Sequence, residues 1–260
     1  MPDKDIVKFL GTAGARFVVA RQLRYSAGTL IRLAGQSIML DPGPGTLTRC
    51  ALARPRIDAA KLDAVILTHA HIDHSNDVNV LIDAMTQGGI ERRGVLFAPA
   101  ECLEGPGAVV LNYLRAFPQR IVTLKAESQY ELGAVRFTTS MRHKHGGETY
   151  GLRFHRAAGD VSFIVDTAFF DGLIDAYKGS QVLVVNVVRH VPHESADVLH
   201  LTLEDAERII REVAPRKAVL THFGMTMLKA VPRDVAQKAS QKLGIEIIAA
   251  SDGMTLELPE

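Results

Sequence analysis

Three histidines and an aspartate crowd into seven positions, Thr68-His69-Ala70-His71-Ile72-Asp73-His74, directly behind the apolar run Ala64-Val65-Ile66-Leu67. Neutral imidazole nitrogens and carboxylate oxygens are the donors that zinc and related first-row ions prefer, and a turn brings side chains two and three positions apart onto one centre. Four such donors overcrowd a single ion. His69 with His71, and Asp73 with His74, therefore point to two adjacent ions whose remaining ligands come from elsewhere in the chain.

Other strand ends supply candidates. Ala64-Val65-Ile66-Leu67-Thr68-His69 is echoed by Ala218-Val219-Leu220-Thr221-His222, so two apolar runs each finish in Thr-His. The echo is short, yet two strands delivering a histidine from their carboxyl ends would build a site between two sheets, and His222 becomes a candidate ligand. Arg142-His143-Lys144-His145 follows the run Val135-Arg136-Phe137-Thr138, and Asp166 follows Val161-Ser162-Phe163-Ile164-Val165. An aspartate there also reads as a helix or turn cap. Beside the other donors the bridging reading prevails, because a carboxylate can span two cations whereas imidazole presents one lone pair.

The elements that must position these residues are legible as alternation and punctuation. Strands are expected at 6–10, 28–33, 37–41, 64–68, 94–98, 120–124, 134–141, 150–155, 161–165, 182–187, 217–221 and 245–249. Val78, Leu81, Ile82 and Met85 recur at helical spacing behind the histidine run, with Ser75 as the expected N-cap and Gly88 as the stop. Thr202-Leu203-Glu204-Asp205 has capping-box form and opens a second helix that buries Leu203, Ala206, Ile209, Ile210 and Val213. Further helices are expected over 109–117 and 234–243. No low-complexity stretch or Pro/Ser-rich linker interrupts the 260 residues, so residues 1–260 are read as one domain.

Composition narrows the classes. A hydrophobic content of 47% without a long apolar segment fits a globular chain with a full core and no membrane partner. Met1-Pro2-Asp3-Lys4-Asp5 lacks the features of an export signal, which points to a cytoplasmic protein. Cys50 and Cys102 have no metal spacing and read as buried, inert thiols. A net charge of +1 gives no global attraction to nucleic acid, so an anionic partner must be recognised locally.

Taken in order, these motifs resemble the metallo-β-lactamase superfamily in its binuclear hydrolase branch, and in particular ribonuclease Z-like phosphodiesterases. The HxHxDH signature stands as His69, His71, Asp73 and His74. The third-histidine motif stands as His145 before Gly146-Gly147-Glu148-Thr149-Tyr150-Gly151, the bridging aspartate as Asp166 and the last histidine as His222 in Leu220-Thr221-His222-Phe223. Asp41-Pro42-Gly43-Pro44-Gly45 and Ser251-Asp252-Gly253-Met254 extend the likeness over nearly the whole chain. The resemblance implies an α/β fold, the four-layer αβ/βα sandwich of two mixed β-sheets with outer helices. It also implies two divalent metal ions: one held by His69, His71 and His145, the other by Asp73, His74 and His222, with Asp166 between them. Zinc is the default metal, with manganese or iron as alternatives. His143 competes with His145, and the six-residue gap to Gly151 favours His145.

The implied chemistry is hydrolysis by a metal-bridging hydroxide, with Asp73 as a ligand that also handles a proton and His200, in His200-Leu201-Thr202, as proton donor to the leaving group. Arg24 and His190 are expected to contact substrate; Arg16, Arg21 and His193 are weaker candidates, while His155 reads as structural. Gly11-Thr12-Ala13-Gly14 reads as a tight turn at the site rim. The expected substrate is a small anionic molecule, a nucleotide-like or cyclic phosphate ester, or RNA. Residues 99–120 lack the long Gly/Pro-rich basic arm that would hold tRNA. Lactone, thioester or β-lactam hydrolysis on the same site is the alternative, a non-catalytic metal-binding scaffold a distant third, and a homodimer suits so compact an enzyme.

Overall fold

The computed structural model describes residues 4–26, 28–195 and 197–259; Met1-Pro2-Asp3, part of the N-terminal reading, lie outside them. Fourteen strands form two seven-stranded sheets. The first contains β1 (Ile6–Phe9), β2 (Thr29–Leu33), β3 (Gln36–Leu40), β4 (Ala64–Ile66), β5 (Val95–Pro99) and β6 (Arg120–Leu124). The second contains β7 (Gln129–Leu132), β8 (Val135–Arg142), β9 (Tyr150–His155), β10 (Val161–Ile164), β11 (Val182–Asn186), β12 (Lys217–Thr221) and β13 (Glu246–Ala249). Then β14 (Thr255–Glu257) returns to the first sheet beside β1. Each sheet is mixed: β3 to β6 and β10 to β13 run parallel, and the remaining neighbours pair antiparallel.

Parallel strands are buried on both faces and so read as unbroken apolar runs rather than as alternation. In β4, Ala64 and Ile66 enter the core between the sheets while Val65 enters the outer core; in β12, Val219 faces inward and Ala218 and Leu220 outward. The nine α-helices among the described residues are α1 (Ala15–Ala20), α2 (Thr46–Leu52), α3 (Ile72–Ser75), α4 (Val78–Met85), α5 (Ala100–Leu103), α6 (Gly172–Tyr177), α7 (Leu203–Val213), α8 (Met225–Lys229) and α9 (Pro232–Leu243). Residues of α4 join the outer core of the first sheet, and residues of α7 and α9 that of the second. The result is the expected four-layer αβ/βα sandwich.

Several sequence expectations are corrected. Ser75 does not cap α4: it ends α3, its hydroxyl donating to the carbonyls of Ala70 and His71, and Asp77 precedes the helix instead. Thr86 is the C-cap of α4, and Gly88, at a φ of +72°, completes the stop by donating its N–H to the Asp83 carbonyl at 2.8 Å. The helix expected over 109–117 is only a 3-10 segment, Asn112–Ala116. The sequence reading missed the edge strands β7 and β14, short and half polar as edges tend to be.

The capping box of α7 forms as expected: Thr202 Oγ1 accepts from the Asp205 N–H at 3.2 Å, and the Asp205 carboxylate accepts from the Thr202 N–H at 2.9 Å. Replacing Thr202 by Ala should cost about 1 kcal/mol, read as a thermal midpoint roughly 2–4 °C lower. Both cysteines are buried, and burial, with Asp77 adding to it, raises the Cys50 thiol to about 12. Neither thiol should react with Ellman's reagent in the native protein, and both should in guanidinium.

Candidate metal centre

The carboxyl ends of parallel strands from both sheets converge on one spot. Asp41 follows β3, the 68–74 run follows β4, Asp166 follows β10, Asn186 ends β11 and His222 follows β12. His143 and His145 come from the turn joining β8 to β9, and His200 from the loop before α7. The parallel strands β3, β4, β10, β11 and β12 are anchored by apolar residues in the cores on both faces, so each end is a firm mount for a side chain.

Asp41 organises the first half. Its Oδ1 accepts the Thr68 N–H at 2.8 Å, its Oδ2 accepts the Thr68 hydroxyl at 2.7 Å, and the same Oδ2 lies 3.0 Å from His74 Nδ1. Because the Thr68 hydroxyl donates to Asp41, its oxygen is left to accept from His69 Nδ1 at 3.0 Å. His145 Nδ1 donates likewise to the Leu199 carbonyl at 3.0 Å. Three imidazoles thus spend Nδ1–H on the protein and turn an Nε2 lone pair inward, the arrangement that fixes tautomer and ring orientation in histidine metal sites.

The inward atoms meet closely. His71 Nδ1 lies 2.9 Å from His145 Nε2, and His74 Nε2 lies 3.3 Å from His222 Nε2. His69 Nε2 is buried with no hydrogen-bond partner. Asp166, 2% exposed, stands between the groups, 3.4 Å from His222 Nε2, 3.6 Å from His74 Nε2 and 3.8 Å from His145 Nε2. Asp73 reaches 3.6 Å from His222 and 3.9 Å from His74. Opposed lone pairs around buried carboxylates call for positive charge between them, and the donor atoms of His69/His71/His145 and of Asp73/His74/His222 lie within 4.8 Å of one another in each set. The residues therefore fit two cations.

The electrostatics agree. Burial alone would lower the pKa of His74, but Asp73, Asp166 and Asp41 outweigh it and raise the pKa well above the ordinary value. Burial opposes ionisation of Asp166 too, yet His222 and His74 hold it well below the carboxylate range. His69 is pulled down chiefly by burial, with His74 adding to it. His200 is lowered by burial; its Nδ1 has no hydrogen-bond partner and sits 3.6 Å from Asp166 Oδ2.

His143 does not share the cluster. It accepts from the Tyr177 hydroxyl at 2.9 Å and donates to the Asp166 carbonyl at 3.3 Å, while burial pushes it down to about 4, so it props the backbone behind Asp166. A cleft of about 470 Å³ opens onto the cluster, lined by Arg16, Phe17, Ile72, Arg189, His193 and His200 among others. Arg24 and His190 do not line it. Arg24 spends its guanidinium on Thr12 Oγ1 and the Ala250 carbonyl and lies over the Phe223 ring, and His190 is held through its N–H by Thr226. His155 pairs with Asp160, away from the cleft. Asp41 and Asn186, whose amide donates to Asp166 Oδ1 at 2.8 Å, were missed as site residues. Both are polar residues closing apolar strands, the same signal that pointed to Asp166 and His222.

This two-sheet sandwich, with its histidine and aspartate cluster at the strand ends, defines a metallo-hydrolase architecture. The Beta-lactamase superfamily domain matches residues 36–223, and the chain belongs to that superfamily. It is 30% identical over 257 residues to the uncharacterized protein MJ1374 of Methanocaldococcus jannaschii, covering 96% of this chain and 94% of that one. Among solved structures, the metallo-β-lactamase fold protein YhfI of Bacillus subtilis superposes with a TM-score of 0.78 at 20% identity, covering 98% of this chain and all of YhfI. A diphosphatase of the PhnP family superposes at 0.72 with 21% identity, covering 98% of each chain. No helix of the described residues is long and apolar enough to cross a membrane.

The centre depends on one close backbone approach. His222 takes a left-handed φ of +59°, and the Gly14 N–H donates to the Phe223 carbonyl at 3.0 Å. A Cβ on Gly14 would fall 2.2 Å from the His222 carbonyl oxygen. Gly14→Ala must displace one backbone from the other, so the expected cost is about 2 kcal/mol or a melting midpoint roughly 4–8 °C lower. An unchanged midpoint would show that this approach is loose.

Proposed function

We propose that the chain is a binuclear metal-dependent phosphodiesterase acting on a small nucleotide-like or cyclic phosphate ester. His69, His71 and His145 would hold one ion, Asp73, His74 and His222 the other, and Asp166 would lie between both. The convergence of the other six side chains around the buried Asp166 carries the reading. Bound there, two divalent cations would lower the pKa of water and neutralise charge developing on the ester oxygens.

The protein's own groups would do the rest. Asp73, 16% exposed and facing the cleft, would orient the attacking water and accept its proton at Oδ. His200, in the cleft wall with an unpartnered Nδ1, would give a proton to the leaving oxygen. Asn186 would hold Asp166 in place through Oδ1. Cationic Arg16 and Arg189 at the cleft favour an anionic ester over a neutral lactone or thioester. The PhnP-family likeness and the ribonuclease Z resemblance support phosphoester chemistry. The short path from β5 to β6, only α5 and a 3-10 turn, favours small substrates over tRNA. The same reading takes zinc as the metal, one domain as the folding unit, a homodimer as the assembly and the cytoplasm as the location.

Metal analysis of the purified protein should return close to two ions per chain, and a panel of a phosphodiester, a lactone and a thioester should show turnover of the phosphodiester. Activity confined to the carboxylic esters would sink the phosphodiesterase reading. With metal content intact, His200→Ala should lower kcat by on the order of 10²-fold or more; unchanged turnover would remove His200 as the proton donor. Asp166→Asn should lower the bound metal, and full retention of two ions would contradict its bridging place.

A further inference from the structure

The cleft has a recognition surface that neither the metal donors nor the proton handlers use. Phe17 on α1 is 69% exposed and Ile72 on α3 is 68% exposed, and both line the cleft. The two short helices pack side by side. Single exposed apolar residues are ordinary. Two large ones sharing the mouth of the cleft that reaches the histidine cluster, one of them between His71 and Asp73, are a different case.

The backbone that carries Phe17 is anchored at the start of α1. Ala13 bridges to Phe223, and the Phe223 N–H donates to the Thr12 carbonyl at 2.8 Å, which ties the start of α1 to the backbone next to His222. On the far side, Asp252 accepts from the Thr12 hydroxyl at 2.7 Å and from the Tyr25 N–H at 2.8 Å. Val18 anchors α1 in the core with no exposure, so its neighbour Phe17 is turned outward. A flat ring carried on an anchored backbone, with only two side-chain torsions to order, offers a stacking partner at small entropic cost.

The charge beside it selects the ligand. Arg16 is exposed and makes no hydrogen bond or ion pair within the described residues, and Arg189, across the cleft, commits only Nε, to the Val191 carbonyl. An apolar shelf flanked by free guanidinium groups suits a molecule that is planar and apolar at one end and anionic at the other. An acyl chain would use the shelf but leave the arginines unanswered.

We propose that Phe17 and Ile72 form a stacking shelf for a planar aromatic ring, such as a nucleobase, carried by a small phosphoester whose charge meets Arg16 and Arg189. The inference rests on the phosphoester reading above. It is tested by calorimetry on the metal-loaded protein with adenosine 5′-monophosphate and ribose 5-phosphate, which share a phosphate and a sugar and differ in the base. Wild type should bind the base-bearing probe about tenfold more tightly, equal to about 1.4 kcal/mol. Phe17→Ala should bring the ratio close to one and Phe17→Trp should keep it, with metal content and melting midpoint checked in each. No preference in wild type, or a preference that survives in Phe17→Ala, overturns the shelf. Because binding is read without turnover, a Phe17-dependent preference supports the shelf even in a protein that fails to cleave phosphodiesters, and the two readings fall separately.

Discussion

Everything in this molecule turns on a cluster of buried lone pairs that only positive charge can satisfy. His69, His74 and His145 each direct one ring nitrogen outward to a protein acceptor and the other inward, and Asp166 sits among them almost without solvent. Against its burial, Asp73, Asp166 and Asp41 hold His74 well above its ordinary pKa, so the carboxylate charge gathered here favours a cation. Burying several like dipoles together is expensive. The fold tolerates the cost because the donors stand on or just behind strand ends whose own stability is supplied elsewhere, by the apolar cores packed against them.

Asp41 links that electrostatic demand to the scaffold. One carboxylate, closing β3, receives two hydrogen bonds from Thr68 and faces His74, so the end of β3 sets the position of donors that leave β4. The opposite sheet has a counterpart in Asn186, which closes β11 and holds Asp166 from the neighbouring β10. In both sheets a polar residue on one parallel strand steadies a donor on the next. Parallel pairing makes this possible, since adjacent strands then end on the same side and their terminal side chains become neighbours.

The readability of the sequence follows from the same arrangement. Donor-type residues after β4, β10 and β12 stand one or two positions behind mostly apolar runs, which is the signal that singles out His69, Asp166 and His222 in the sequence. The fold class was legible through the family resemblance those motifs carry, with strand-like runs recurring from end to end beside a few helical patterns. Asp41 and Asn186 also close apolar strands, but Asp41 stood out only as part of a family landmark, and an amide such as Asn186 announces no metal site by itself. Elements that escaped were those whose formation depends on neighbours: the edge strands β7 and β14, and the short helices α1, α2, α5, α6 and α8, which have too few turns to display a period.

Residues that choose a substrate are harder to read than residues that perform a reaction, and Arg24 with Arg16 shows the reason. Both are arginines in the stretch between β1 and β2, and charge count cannot separate them. Arg24 folds back onto Thr12 and Ala250 and stiffens the loop, whereas Arg16, one residue from Phe17, is left without a partner at the cleft. Which of the two faces the ligand depends on the single turn of α1 and on the Gly14 contact that orients it. A strand end inherits its direction from a sheet of seven strands, but a loop side chain inherits its direction from two or three local hydrogen bonds. Reaction chemistry in this fold therefore rests on the most redundant part of the structure, and recognition on the least redundant, where substitution can change the ligand without disturbing the centre.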